Sequence, residues 1–254
     1  MLVTTEAIIL RSRKQGDTSK IVSVYTRDYG LVDLIAKGAR EMKSKFGSSL
    51  EPFNCAKVTF YKKEGKDLYL LSSAESAITL RNLQSDLEHI EAATKVVELL
   101  LRSQHHEESN VELYEHVKRT LALMSEAKEA ASVVPILYAY YLRYIHLAGF
   151  AMRFENDSAL GGGDLYFDIE SGEVIHLENS SGFHSERIHK ITPEVLAVLK
   201  HIERNGITGA SSLRVSEVAR HILDGLFRSY LAMHIEGMQH NRTKSSKVFS
   251  AMGK

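Results

Sequence analysis

The chain has 254 residues, 44% of them hydrophobic and 25% charged, with a formal net charge of zero and a single cysteine, Cys55. Such a length and composition suit one large or two ordinary globular domains, and one cysteine excludes both an intrachain disulfide and a cysteine-rich zinc site. No apolar stretch approaches the ~20 residues of a membrane span, and the N-terminus lacks the basic and apolar regions of a signal peptide, so a cytosolic protein is expected.

From Thr5 to Ser73 the apolar spacing has period two, with frequent β-branched and aromatic residues. Ala7-Ile8-Ile9-Leu10 reads as a buried strand, followed by a loop at Lys14-Gln15-Gly16-Asp17. Ile21–Tyr25 and Leu31–Ala36 flank Arg27-Asp28-Tyr29-Gly30, a hairpin turn in which Gly30 supplies a positive φ. Ala56–Tyr61 and Leu68–Leu71 flank a second hairpin at Lys63-Glu64-Gly65-Lys66. About five short strands in so few residues must close or be covered to hide their edges. An OB-type barrel is the economical solution, although a β-sandwich or an SH3-like barrel fits the periodicity nearly as well.

From about Leu83 the period becomes helical. Ser85-Asp86-Leu87-Glu88 reads as a capping box, with Leu87, Ile90, Val97, Leu100 and Leu101 forming the apolar face of a first helix. Asn110 is expected to cap a second helix bearing Leu113, Val117, Leu121 and Met124. A third, from about Ala130 to Ala148 and ended by Gly149, is apolar on most sides and suits the centre of a bundle. Gly161-Gly162-Gly163 then precedes a hairpin of Leu165–Asp168 and Val174–Leu177, closed by Glu170-Ser171-Gly172-Glu173. Thr192-Pro193 opens another helix, and a long one follows from about Val215 to Ile235, with Val218, Ile222, Leu226 and Met233 expected inward and Gly237 as its stop. The expected fold is α+β: a five-stranded barrel over residues 1–80, and over 81–254 a helical domain with a small hairpin insertion at about 152–183.

The zero net charge conceals a segregated distribution. Between Arg11 and Lys45 the bases Arg11, Arg13, Lys14, Lys20, Arg27, Lys37, Arg40, Lys43 and Lys45 meet only Asp17, Asp28, Asp33 and Glu41, while Glu88, Glu91, Glu107, Glu108, Glu112 and Glu115 restore the balance further on. Mobile cations along a groove neutralise phosphates, and aromatic faces beside them stack bases. Arg11, Arg13, Lys14, Lys37, Arg40, Lys43 and Lys45 could serve the first purpose; Tyr25, Tyr29 and Phe46 the second. The same residues would also make a plain solvated face with aromatic rings filling the barrel. Neither His184-Ser185-Glu186-Arg187-Ile188-His189 nor His105-His106-Glu107-Glu108 has the HExxH spacing of a metal site, and Gly161-Gly162-Gly163-Asp164 lacks the context of a phosphate loop. Cys55, in a strand-like segment, reads as a buried inert thiol. No nucleophile–base–orienter set stands out, and no catalytic residue, metal or cofactor is expected.

The runs Glu6–Arg13, Gly16–Val22 and Tyr25–Gly30, then Ala36-Lys37-Gly38-Ala39-Arg40 and Leu50-Glu51-Pro52-Phe53, resemble the opening of the bacterial DNA repair protein RecO family. Leu226–Leu231 and Lys244–Phe249 resemble its closing helix and basic tail. The resemblance implies an N-terminal OB barrel, a helical C-terminal domain and a role beside the nucleoid. It further implies binding of single- and double-stranded DNA, annealing of complementary strands and assistance to RecA on DNA coated with single-strand-binding protein, with RecR as partner. DNA contact is carried over to Lys37 and Arg40 first and then to the neighbouring bases Arg11, Arg13, Lys14, Lys43 and Lys45, with Tyr25 the ring expected beside them from residue type. The acidic tail of single-strand-binding protein would dock on the helical domain, where Arg102, Arg119, Arg143 and Arg220 are candidates by residue type alone.

One departure is plain. Many family members carry a four-cysteine zinc motif after the third helix of the bundle, whereas residues 152–182 here contain no cysteine. A tetrahedral thiolate site is impossible, and the hairpin is expected to be held by packing of Leu165, Phe167, Val174 and Ile175. Two rivals to the repair reading are an RNA-binding accessory protein with the same barrel and an enzyme with an auxiliary OB domain.

Overall fold

A computed structural model describes residues 1–155, 164–177 and 187–239. It divides into two compact units, one comprising residues 1–144 with 201–215 and the other 145–200 with 216–254. Gly161–Gly163, His184 and the basic tail from Asn241 lie outside the described residues.

In the first unit, strands β1 (Leu2–Gln15), β2 (Ser19–Thr26), β3 (Gly30–Ala36), β4 (Cys55–Tyr61) and β5 (Leu68–Ile78) close into a barrel in the order β1-β2-β3-β5-β4. The β3–β5 pairing is parallel and the others antiparallel, which makes this an OB barrel rather than a sandwich. Its interior follows from the period-two spacing: Val3, Ala7, Ile9, Val22, Val24, Val32, Leu34, Val58, Phe60, Tyr69 and Leu71 share one buried cluster.

The uninterrupted run Ala7–Leu10 has a second cause, because β1 is covered on both faces. Ile8, directly opposite Tyr25 on β2 and Cys55 on β4, points outward and is nevertheless fully buried. Helix α2 (Val111–Glu126) supplies that cover: the Tyr114 and Tyr25 rings lie 6.4 Å apart. Around this contact, Lys118 Nζ donates to Glu6 Oε2 at 2.7 Å and Arg27 Nε to Glu115 Oε1 at 3.1 Å. The Lys118 hydrogen bond holds the Glu6 carboxyl below the usual carboxylate range.

Helix α1 (Leu87–Ser103) starts one residue later than the capping box implied. Asp86 is the cap, accepting from His89 N, while the Ser85 hydroxyl donates to Asn82 O and so completes the preceding short turn at Arg81–Gln84. The buried face is correspondingly Ala92, Ala93, Val96, Val97, Leu99 and Leu100, and Leu87 is exposed. Asn110 caps α2 as expected, accepting from Leu113 N at 2.9 Å. Helix α3 (Val133–Leu147) is buried on nearly every side in its first half and ends at Gly149, with φ +87°.

His116 of α2 stacks on Tyr140 of α3 with centroids 5.5 Å apart, and its Nε2–H donates to the Tyr140 carbonyl at 3.3 Å. Burial pushes its pKa down from 6.5 to about 4. The unfolded chain therefore takes up this proton near pH 6.5 and the folded chain only near 4, so stability is lost as the pH falls through that window. Urea unfolding at pH 7 and pH 5 is expected to show a larger drop for wild type than for His116→Gln, whose amide keeps the donor without titrating; equal drops would remove His116 as the cause.

In the second unit β6 (Asp164–Asp168) pairs with β7 (Glu173–Leu177) as the sequence indicates, and additionally with β8 (Ile188–Lys190). Phe167 is buried between Phe154 and Tyr230, at centroid distances of 6.2 and 6.1 Å, and Val174 beside it is also buried, while Leu165 and Ile175 are half-buried. Polar contacts reinforce the hairpin. Arg187 donates to both oxygens of Asp168, at 3.0 and 3.1 Å, and Asp168 Oδ1 also accepts from Glu170 N. Helix α4 (Pro193–Ala210) is capped by the Thr192 hydroxyl and broken at Gly206, where φ is +62°. Helix α5 (Glu217–His234) buries Ala219, Leu223, Leu226, Phe227, Tyr230 and Leu231. Val218 and Met233, expected inward, are exposed, because the buried stripe is centred one residue on from the one expected.

Candidate nucleic-acid interface

The barrel's outer surface is half covered. In register across the strands, Cys55, Ile8, Tyr25 and Leu31 form an outward row that is buried throughout. Tyr25 is 0% exposed and its hydroxyl donates to Gln104 Oε1 at 3.4 Å, so it cannot stack on a base; it anchors the barrel to the helices of its unit. Phe46 is likewise in the core, and Tyr29 is half-buried against the edge of Phe60. Cys55 is buried with its thiol pushed up to about 11 by that burial, as an inert packing residue should be.

The segment joining α1 to α2 closes over the end of this row. Glu107 N donates to Leu31 O at 3.0 Å, and the Glu107 carboxylate accepts from Tyr69 Oη and from Lys62 Nζ. The histidine–acid run at 105–108 is thus a clasp on the barrel. Among the described residues no group of three or more His, Cys, Asp or Glu could hold a metal ion. The hairpin region has no cysteine to fit the family's four-thiolate centre.

The basic residues gather where the cover ends. Arg40, reached from β3 through a turn with Gly38 at φ +71°, returns to the β1–β2 loop. Its backbone N–H donates to Thr18 O, and its Nη1 donates to Gly16 O and Asp17 O, each at 2.9 Å. Arg40 is therefore a stitch joining two loops, with its charge still at the surface. Gly38 serves the turn, since Glu41 N donates to its carbonyl. The stitch brings Lys37 beside the end of the β1–β2 hairpin that carries Arg13 and Lys14, with Arg11 two residues before Arg13 on the same face.

These cations differ in what else they hold. Lys20 pairs with Glu51 at 3.1 Å and Arg27 with Glu115, while Lys45 Nζ donates to Ser72 O at 2.6 Å and lies 5.1 Å from the Phe46 ring centre. Arg11, Arg13, Lys14, Lys37 and Lys43 are exposed, and among the described residues no carboxylate lies within ion-pair distance of them. An exposed cation without a partner in the fold loses nothing internal when it meets a phosphate. In the helical part, Arg143 pairs with Glu112 and Arg119 donates to Thr208 Oγ1 at 3.0 Å; Arg102 and Arg220 are half-buried.

A further outward row escaped the sequence reading. Leu2, Tyr61, Leu70, Ile35, Ile21 and Arg13 are Cα partners in succession across all five strands, beginning and ending on β1 because the closed barrel is staggered. The available signal was Tyr61 itself, an aromatic residue at an outward position after the inward Ala56, Val58 and Phe60.

Two family models match the chain in succession, "Recombination protein O N terminal" over residues 1–79 and "Recombination protein O C terminal" over residues 84–244. The chain belongs to the recombination protein O, or RecO, family. It is similar to the DNA repair protein RecO of Thermoanaerobacter sp. (strain X514), 25% identical over 92% of this chain and 93% of that one. The RecO of Alkaliphilus metalliredigens is 25% identical over 97% and 99% of the two chains, and that of Chlorobaculum parvum 32% identical over 72% and 70%. The RecO similarity thus runs through both the barrel and the helical part.

Proposed function

We propose that this chain is a non-catalytic mediator of recombinational DNA repair, one that binds single- and double-stranded DNA, anneals complementary strands and helps RecA onto DNA coated with single-strand-binding protein. The observation that carries the reading is the set of exposed cations Arg13, Lys14 and Lys37 with Arg11 and Lys43, on the β1–β2 hairpin and the segment after β3 of a RecO-family chain, none with an ion-pair partner among the described residues. Phosphates of either strand type are neutralised there without regard to base sequence. A surface that takes two strands at once raises their local concentration, which is what annealing requires. Residues 1–80 are the DNA-binding barrel in this account and 81–254 the domain for RecR and for the acidic tail of single-strand-binding protein. No helix among the described residues is long and apolar enough to cross a membrane, and the protein would work in the cytoplasm beside DNA.

The test is the rate at which two complementary oligonucleotides anneal with and without the protein, with matched RNA as competitor. Acceleration that weakens as salt rises, with DNA not displaced preferentially by RNA, is the expected result. An unchanged annealing rate, or a clear preference for RNA, would contradict the proposal.

A further inference from the structure

The second outward row of the barrel resembles neither a core nor an ordinary solvated face. Leu2, Tyr61 and Leu70 are directly opposite one another across β1, β4 and β5 and are 54%, 50% and 37% exposed, and Leu68, two residues before Leu70, is 41% exposed. Ile35 continues the row on β3, half-buried, and Ile21 on β2, which is buried, leads to Arg13. Isolated exposed apolar residues need no explanation, but a run of them in register across neighbouring strands does.

Cations lie on both sides of the row. On one side, two residues along each strand, are Asp33 on β3, which accepts from the Ser23 hydroxyl, and the β4–β5 turn, which carries Lys62, Lys63 and Lys66 beside Glu64 and Asp67 and whose Lys62 carbonyl accepts from the N-terminal ammonium. On the other side Lys37 follows Ile35, and the Lys45 ammonium sits on the carbonyl of Ser72, which follows Leu70. Two residues along a strand is roughly 7 Å. An exposed apolar patch of Leu2, Tyr61, Leu68 and Leu70, with the Tyr61 ring in it, is thus bordered by cations on both sides, and the row beyond it passes through the buried Ile21 to Arg13, which meets no carboxylate among the described residues. The matching ligand presents flat apolar faces and, a few ångströms away, a line of negative charge. Single-stranded nucleic acid has that chemistry; a duplex keeps its base faces stacked inside.

From this arrangement we propose that Tyr61, flanked by Leu2 and Leu70, is a stacking platform for unpaired bases, with the phosphate backbone held by the cations that border the patch, Lys37 among them. The proposal rests on the DNA-binding reading above and deepens it by giving the barrel a means of telling single strands from duplexes. It also replaces Tyr25 and Phe46, the rings that residue type suggested and burial excludes.

The test compares oligothymidylate with an abasic oligonucleotide of equal length and charge, and with a duplex. Wild type should favour oligothymidylate over the abasic strand by about tenfold or more, stacking being a contribution of that order per base. Tyr61→Ala should remove most of that preference while leaving abasic and duplex affinity unchanged, and Tyr61→Phe should retain it. The chain contains no tryptophan, so Tyr61→Trp places a single indole at the site, and its emission should be quenched by oligothymidylate and not by the abasic strand. Lys37→Glu should weaken binding to both strands alike. If wild type binds both strands equally, or if Tyr61→Ala keeps the preference, the platform is refuted while DNA binding stands. Failure of wild type to bind any of the three would refute both.

Discussion

An Arg13→Glu/Lys37→Glu variant is expected to lose roughly 100-fold in affinity for single-stranded DNA near 0.1 M salt, and its dependence on salt should become shallower. Each phosphate contact to a single strand contributes about 0.7 to the slope of log K against log salt, so removing two lowers that slope by about 1.4. Replacing two cations by anions also adds repulsion, which carries the loss beyond that of neutral substitutions. The pair is chosen because neither side chain is tied to a carboxylate among the described residues, both being exposed. Arg40→Glu would be a poorer instrument: its Nη1 holds the Gly16 and Asp17 carbonyls, so the variant would loosen the loop as well as reverse a charge. Fluorescence anisotropy across a salt series, with circular dichroism to confirm folding, checks the expectation. Unchanged affinity and slope would show that the cluster is only a solvated face.

The second large effect concerns how the barrel is held to its helices. Gly30 closes the β2–β3 turn with φ +62°, a conformation that costs L-residues about 1–2 kcal/mol. A Cβ on Gly30 would lie 2.0 Å from the Glu108 carbonyl oxygen and 2.5 Å from its carbon, in backbone that has no rotamer by which to move aside. The same segment carries the Glu107 N–H to Leu31 O bond and the Glu107 contacts to Tyr69 and Lys62. Gly30→Ala must therefore strain the turn or lift the segment off the barrel, and a loss of about 3 kcal/mol or more is expected in urea unfolding. A loss below about 1 kcal/mol would mean that the clasp is not tight.

What could be read from the residues alone follows their physics. Strand period, turn glycines and the Asn110 cap are local, and the structure has them where the sequence indicates, except that β1 runs on through Lys14 and Gln15, expected in the loop, because they pair with Lys20 and Ser19 of β2. The Ser85–Asp86 pair shows the limit of local reasoning: both residues cap well, and the preceding turn engages the Ser85 hydroxyl and leaves Asp86 to the helix. Tyr25 shows a larger one. Residue type marks it as a ring near cations, but whether its face meets solvent or Tyr114 depends on where α2 packs, which no spacing within the barrel records. Arg40 is similar, its carbonyl partners lying on a loop more than twenty residues earlier in the chain. Tyr61 is the converse, exposed because no helix among the described residues covers it.

The central claim is that the basic β1–β2 hairpin and the segment after β3 bind nucleic acid through its phosphates. Its most direct measurement is equilibrium binding of a labelled single strand of about 30 nucleotides to the wild-type protein over a salt series. Three to five phosphate contacts from Arg11, Arg13, Lys14, Lys37 and Lys43 imply a slope of about −2 to −3.5 in log K against log salt. An affinity indifferent to salt, or no binding at about 50 mM salt where phosphate contacts are strongest, would contradict the account.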